Sequence, residues 1–150
     1  MVFREAKEGD IAQIQRVRNA VTENILSDPG LVTNALCLEF ITQRGKGWVC
    51  EVSDRIVGFS IADLKGNNIW ALFVYPGYDK CGIGRQLHNL MLNWYFSQTV
   101  KNVWLSTEPG TRAEGFYRKS GWTEAGIHGK GEIKFEMTFE NWSSLRKSSY

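Results

Sequence analysis

Several residue types are scarce in this sequence: its 150 residues include three cysteines, three prolines and two histidines. Cys37, Cys50 and Cys81 form an odd, widely spaced set without a C-x-x-C pair, which argues against a disulfide framework and a zinc site and leaves reduced structural thiols. No metal ligand set is expected. Long apolar runs are missing too, so no transmembrane helix is expected, and Met1-Val2-Phe3-Arg4-Glu5 has no basic then apolar leader. Both features point to a cytoplasmic protein with no membrane partner. Charge of one sign is also in short supply, because 18 Lys and Arg against 16 Asp and Glu leave a formal net charge of +2. That disfavours a protein built to grip nucleic acid along its whole surface.

What the chain does have is 43% hydrophobic and 13% aromatic residues, the make-up of a packed globular protein. Its length suits one domain over residues 1–150, with a polar tail from 143 to 150 expected to fray. A short strand over residues 1–5 leads to a helix opening at Asp10, where Asp10 and Gln13 have capping-box spacing. Ile11, Ile14, Val17, Val21 and Ile25 form one apolar stripe that predicts helix to about Leu26. Ser27-Asp28-Pro29-Gly30 stops it, and a second helix is expected from Thr33 to Arg44, burying Leu36, Phe40 and Ile41, with Gly45 as its stop.

The period then changes. Residues 48–52, 56–64 and 69–75 are rich in β-branched and aromatic types and read as a three-stranded antiparallel meander. Ile83, Leu87, Leu90, Met91, Trp94 and Tyr95 return to helical spacing over 82–98. A strand at 103–106, a helix at 111–120 and a hairpin of 122–127 with 133–139 complete the order β α α β β β α β α β β. The strand, helix 82–98 and strand 103–106 make a right-handed crossover, so those two strands should run parallel in an otherwise antiparallel sheet.

Gly82 and Gly84 fall where the third meander strand turns into the long helix. Free backbone N–H groups converge at such a turn with the positive end of the helix dipole, and glycine lets an anion approach, so a pyrophosphate suits it. The same glycines also serve a merely tight turn, and spacing alone leaves both readings open. A dinucleotide fingerprint needs a third glycine where Leu87 stands, and a P-loop needs Gly-Lys-Ser/Thr, so neither NAD nor ATP is indicated.

Leu72-Phe73-Val74-Tyr75-Pro76 followed by Asp79-Lys80-Cys81-Gly82-Ile83-Gly84 resembles the signature of the GNAT N-acetyltransferase superfamily, in which a strand precedes a Q/R-x-x-G-x-G/A loop. The segment Arg112 to Trp122 is similar to that superfamily's second motif, A-x-x-x-Y-x-K-x-G-F/W, and the element order over residues 1–140 resembles the superfamily's order. The resemblance implies an α/β (α+β) fold with a mixed, mostly antiparallel sheet of about seven strands, one parallel pair, and about four flanking helices. It implies acetyl transfer from acetyl-CoA to a primary amine of a small molecule or protein, directly in a ternary complex, with no metal.

Carried over residue by residue, the resemblance makes Leu72, Phe73 and Val74 the strand that meets the pantetheine arm, with the Val74 amide on the thioester oxygen. Lys80, Cys81, Gly82, Ile83, Gly84 and Arg85 would hold the diphosphate, Ala113 would let its helix approach, and Tyr117 would protonate the departing sulfur. Core packing is the competing reading of Phe116-Tyr117. Asp79 stands in place of the usual Gln or Arg, Gly110 in place of an Asn, and Asn68 in place of a carboxylate that relays the amine's proton. Glu108 acting through water is the candidate base, with Glu51 and the histidines behind it; His88 reads as an exposed helix residue. Glu23, Asn24, Asp28 and Trp70, together with the hairpin near His128, are the acceptor-site candidates, the acids suiting a cationic amine. The departures at Asp79 and Asn68 support an alternative, a non-catalytic module that binds or senses acyl-CoA. A further alternative is a nucleic-acid or ribosome partner drawn by Lys80, Arg85, Arg112, Arg118 and Lys119. A homodimer is compatible with all of these.

Overall fold

The computed structural model describes residues 1–26 and 29–147. Its strands are β1 (Val2–Glu5), β2 (Gly45–Val52), β3 (Arg55–Asp63), β4 (Asn68–Val74), β5 (Val103–Thr107), β6 (Thr123–His128) and β7 (Glu132–Met137). Five α-helices accompany them: α1 (Ile11–Ala20), α2 (Asn34–Glu39), α3 (Ile83–Gln98), α4 (Arg112–Lys119) and α5 (Phe139–Lys147). The strands form one sheet in the order β1-β2-β3-β4-β5-β7-β6, in which β4 and β5 are the parallel pair. This is the mixed, mostly antiparallel sheet that the sequence implies.

The helices cover the two faces differently. α1 and α2 lay Ile11, Ile14, Val17 and Cys37 on one face, over Val49, Phe59 and Ile61. On the other, α3 buries Ile83, Leu87, Met91, Leu92 and Tyr95, and α4 and α5 add Tyr117 and Trp142 to the same cluster. Each fully buried side chain of this size contributes about 1.5–3 kcal/mol.

Four expectations need correction. The start of α1 is capped from Lys7, whose N–H donates to the Asp10 carboxylate at 2.9 Å, so Asp10 is the third residue of the box and not its cap. Gln13 instead accepts from the Ile56 N–H at 2.8 Å, tying α1 to β3. Second, α1 stops at Ala20, Val21 is extended, and Ile25 is 65% exposed. The helical spacing of Val21 and Ile25 is overridden by polar ties beyond α1: Asn24 takes a left-handed φ of 54° and its amide reaches Thr107 and Glu108. Third, the Thr33 cap holds, accepting from the Leu36 N–H at 3.1 Å, but the helix loosens into a π-turn over Phe40–Arg44, and Gly45 opens β2. Leu36 and Phe40 are half-buried, and Cys37 and Ile41 are the buried residues.

Fourth, the tail folds. α5 buries Trp142, whose indole N–H donates to Asn93 Oδ1 at 3.2 Å, and Asn141 donates to the Gly121 carbonyl at 2.9 Å. Its polar sequence hides a single apolar stripe that pays for docking. Residues 148–150 lie outside the described residues.

Candidate active site

The cleft begins as a fault in the sheet. Ile61 pairs with Ala71 and Ala62 with Ile69, so Trp70 is one residue too many on β4. This bulge sends both Trp70 and Ala71 to the α1–α2 face and bends the strand, as bulges do. Among the described residues, β5 keeps register with β4 at Asn68↔Trp104 only. Beyond that pair the two strands part.

What the wedge exposes follows from strand geometry. The Tyr75 N–H donates to the Val57 carbonyl at 2.7 Å, so Tyr75 and, two residues back, Phe73 direct their backbone groups to β3. The N–H and C=O of Leu72 and Val74 therefore face the wedge, where an extended ligand can add itself as a strand. Above them, the first intrahelical bond of α3 runs from Gln86 N–H to the Gly82 carbonyl at 3.1 Å. The amides of Ile83, Gly84 and Arg85 thus have no partner within the helix. Gly82 has φ 78°, a conformation that disfavours any side chain, and a Cβ on Gly84 would approach only Val74 Cγ2, at 3.7 Å. Three free amides, an open approach and the helix dipole fit a phosphate group.

Thirteen of the residues singled out from sequence line one cleft of about 1700 Å³: Glu23, Asn24, Trp70, Leu72, Phe73, Val74, Lys80, Gly82, Gly84, Arg85, Glu108, Ala113 and Tyr117. Ile83 and Cys81 do not. The Ile83 side chain is core, leaving only its amide for the site, and the exposed Cys81 directs its N–H to the Tyr78 carbonyl at 3.4 Å. Asp28 lies outside the described residues. Asp79 also lines the cleft, where Arg112 ion-pairs with it and offsets its charge. Of the other arginines proposed for nucleic acid, Arg118 is paired with both Glu114 and Glu124.

Tyr117 stands on α4, whose cap Thr111 accepts from the Glu114 N–H at 3.3 Å. Phe116, Trp122, Phe135 and His88 surround its ring. Burial pushes its phenol well above the usual tyrosine value, and among the described residues its hydroxyl has no hydrogen-bond partner. Burial thus favours the neutral phenol on a residue that lines the cleft.

His88 is buried, against the expectation of an exposed helix residue. Trp122 Nε1–H donates to its Nε2 at 2.9 Å, and an indole can only donate, so the proton sits on Nδ1 and is given to Asn89 Oδ1 at 2.9 Å. Burial, with a smaller contribution from Arg85, lowers its pKa to about 4. His88 is thus a neutral brace behind Tyr117. Glu51 pairs with Arg4 and His128 packs on Trp104, and neither lines the cleft.

On the acceptor side, Glu23 is already engaged. Its carboxylate accepts from the Arg112 N–H at 3.0 Å, at the start of α4, where an acid suits the helix dipole. Asn24 donates to Thr107 Oγ1 at 3.0 Å and accepts from the Glu108 N–H at 3.0 Å, pinning its segment to the end of β5. Trp70 stacks on Phe40 with ring centroids 4.0 Å apart. Two lining residues escaped the sequence reading. Glu132 accepts from Ser106 Oγ at 2.8 Å, and Arg18 lies over the Phe73 ring at 4.1 Å while Nη2 donates to the Asn24 carbonyl at 2.8 Å. Neither belongs to a motif; only the packing of α1 and β7 on the cleft reveals them.

A mixed sheet parted at its one parallel pair, with a glycine-initiated helix over the gap, is the arrangement that defines the GNAT acetyltransferase fold. A family model described as the acetyltransferase (GNAT) family matches residues 12–122, and the chain belongs to that family. Among solved structures, similarity extends to the PaiA N-acetyltransferase of Thermoplasma acidophilum in complex with coenzyme A, at 15% identity and TM-score 0.77, covering 91% of this chain and 98% of that one. It also extends to the Escherichia coli ribosomal-protein-S18-alanine N-acetyltransferase, at 14% identity and TM-score 0.74, covering 92% and 93%. An aminoglycoside 6'-acetyltransferase type Ii is similar at 19% identity and TM-score 0.74, covering 93% and 97%. At these identities the likeness is one of fold. A comparison with curated proteins finds no match.

Proposed function

We propose that the protein is an acetyl-CoA-dependent N-acetyltransferase that moves the acetyl group directly to a primary amine of a small molecule or protein. The observation that carries this reading is Tyr117, which lines the cleft where β4 and β5 part, its ring buried among aromatic rings and its hydroxyl without a hydrogen-bond partner among the described residues. Acetyl-CoA supplies the acyl group as a thioester. The amides of Ile83, Gly84 and Arg85, with Lys80 and Arg85 beside them, hold its diphosphate, and the backbone of Leu72 and Val74 takes its pantetheine arm.

In this arrangement the Val74 amide polarises the thioester oxygen, and Tyr117 gives its proton to the departing sulfur. Ala113 keeps α4 close to the wedge. Asn68 donates to the Trp104 carbonyl at 3.0 Å and has no acid to offer, so Glu108 removes the amine's proton through water from the end of β5. Glu108 is exposed and lines the cleft.

Tyr117→Phe tests the reading. Thiol release from acetyl-CoA, followed over a panel of amines, should fall about tenfold or more in kcat while acetyl-CoA affinity stays within about twofold. An unchanged kcat removes Tyr117 from the chemistry. Coenzyme A binding with no turnover on any amine favours the second reading, a binding or sensing module, which the Asp79 and Asn68 substitutions support.

A further inference from the structure

On the α1 side of β4, Arg18 lines the cleft with no ion-pair partner among the described residues. Arg18 projects from the last turns of α1 into the cleft, its guanidinium resting on the Phe73 ring at 4.1 Å and its Nη2 bonded to the Asn24 carbonyl. Nη1 is buried and has no hydrogen-bond partner among the described residues. Every other arginine treated so far at the cleft or its rim has a different situation: Arg112 faces Asp79, Arg118 faces two glutamates, and Arg85 is exposed beside the amides of α3. Burial lowers the pKa of Arg18 below its ordinary value, and among the described residues no carboxylate is ion-paired with it. Guanidinium does not deprotonate in proteins, and a buried charged donor without an acceptor is a costly arrangement for a fold to keep unless a ligand completes it.

We infer that Arg18 receives a carboxylate carried by the acceptor amine, making the substrate class an amino acid or another small amine with an acid group close to the nitrogen. Geometry supports this in two ways. Phe73 lies between Leu72 and Val74, the residues whose backbone faces the wedge, and Arg18 on its ring lines the same cleft, so one small molecule in that cleft can meet both. The guanidinium rests over its ring and is tied through Nη2, which leaves the buried Nη1 with N–H groups to give and one positive charge, enough to match a carboxylate monoanion. Among the described acids at this end, Glu23 is bonded to the Arg112 N–H and Glu132 to Ser106, and the exposed Glu108 forms no ion pair with Arg18.

This inference rests on the acetyl-transfer reading, and the experiment separates the two. Calorimetric binding to the coenzyme A-saturated protein is measured for matched pairs: phenylalanine with phenethylamine, leucine with 3-methylbutylamine, and lysine with pentane-1,5-diamine. The acid-bearing members should bind about tenfold or more tightly to the wild type, and Arg18→Met should erase that preference while leaving coenzyme A affinity unchanged; Arg18→Lys should restore part of it. With acetyl-CoA, the same preference should appear in KM rather than kcat. Acid-selective binding without thiol release keeps Arg18 as a carboxylate site and sinks the acetyl-transfer reading. Equal binding of the paired members, binding of neither, or a preference that survives Arg18→Met overturns the role given to Arg18, whatever the turnover.

Discussion

On the α3 side of β4 the cleft rests on aromatic side chains packed against one another, with His88, Phe116, Tyr117, Trp122 and Trp142 in mutual ring contact. On the α1 side it rests on single polar ties: Gln13 to Ile56, Asn24 to β5, Glu23 to α4, Arg18 to the Asn24 carbonyl. The first kind of wall fixes position through close packing, and removing one ring leaves a cavity the rest cannot fill. The second kind fixes position one hydrogen bond at a time, each worth about 0.5–1.5 kcal/mol net. A carrier common to many acceptors needs the rigid side, and a particular acceptor is read on the side that a few polar residues can redefine.

The contrast is most exposed to attack through its two tryptophans. Trp142→Ala on the packed side should lower the free energy of unfolding by about 3–5 kcal/mol, because Trp142 is buried against His88 and Asn93 of α3. Trp70→Ala on the polar side should cost about 1–2 kcal/mol, since Trp70 is half-buried at the edge of its cluster and stacked on Phe40. Denaturant unfolding of both variants measures the difference, and equal losses dissolve the distinction between the walls.

The brace behind Tyr117 gives a sharper handle. In the unfolded chain His88 titrates at its ordinary value near 6.5, and in the folded protein burial lowers this to about 4. Between those values the unfolded state binds more protons, so this contribution to stability is complete above pH 6.5 and is lost as pH falls toward 4. Its size is roughly 3 kcal/mol. His88→Gln should flatten the pH dependence of the melting temperature across that window. An unchanged slope means that His88 is protonated in the folded protein and that the Trp122 bond is not as described.

How far the sequence carries one toward this site follows the same division. The strands, α3, the cap at Thr33, and Gly82 with Gly84 were all legible, because periodicity and local backbone chemistry decide them within a few residues. What was not legible depends on partners far along the chain. The early end of α1 is set by Asn24 reaching Thr107 over 83 residues, the burial of His88 by Trp122 over 34, and the docking of α5 by Asn93 and Gly121. Arg18 belongs to no motif in the sequence, and the Asn24 carbonyl that the early helix end brings to it and the ring of Phe73 are contacts only the fold supplies.

At the loop, charge and shape can be tested apart. Gly84→Ala should fold and bind coenzyme A within a few-fold of wild type, since the added carbon meets Val74 Cγ2 at an ordinary 3.7 Å. Gly84→Glu should weaken coenzyme A binding by about a hundredfold or more, by placing an acid among the amides proposed for the diphosphate. Retained affinity in Gly84→Glu moves the anion away from the start of α3.

The smallest effect is expected from the ion pair that spans the mouth of the same loop. Asp79 and Arg112 are both partly exposed, with side-chain exposures of 32% and 62%, so their mutual stabilisation is worth about 0–1 kcal/mol and is weakened by salt. Their influence on an anion beside them is of the same order. Asp79→Asn leaves Arg112 uncompensated and should tighten coenzyme A binding by about two- to fivefold at low salt, whereas Arg112→Gln leaves the acid bare and should loosen it by a similar factor. Both shifts should shrink as ionic strength rises and the Debye length falls to roughly 8 Å or less. Opposite, salt-sensitive changes make the pair a neutralising device that lets an acid occupy the loop. Changes of the same sign, or none, mean that Arg112 serves the Glu23 side of the cleft through its backbone N–H and that the charge of Asp79 is not felt by the ligand.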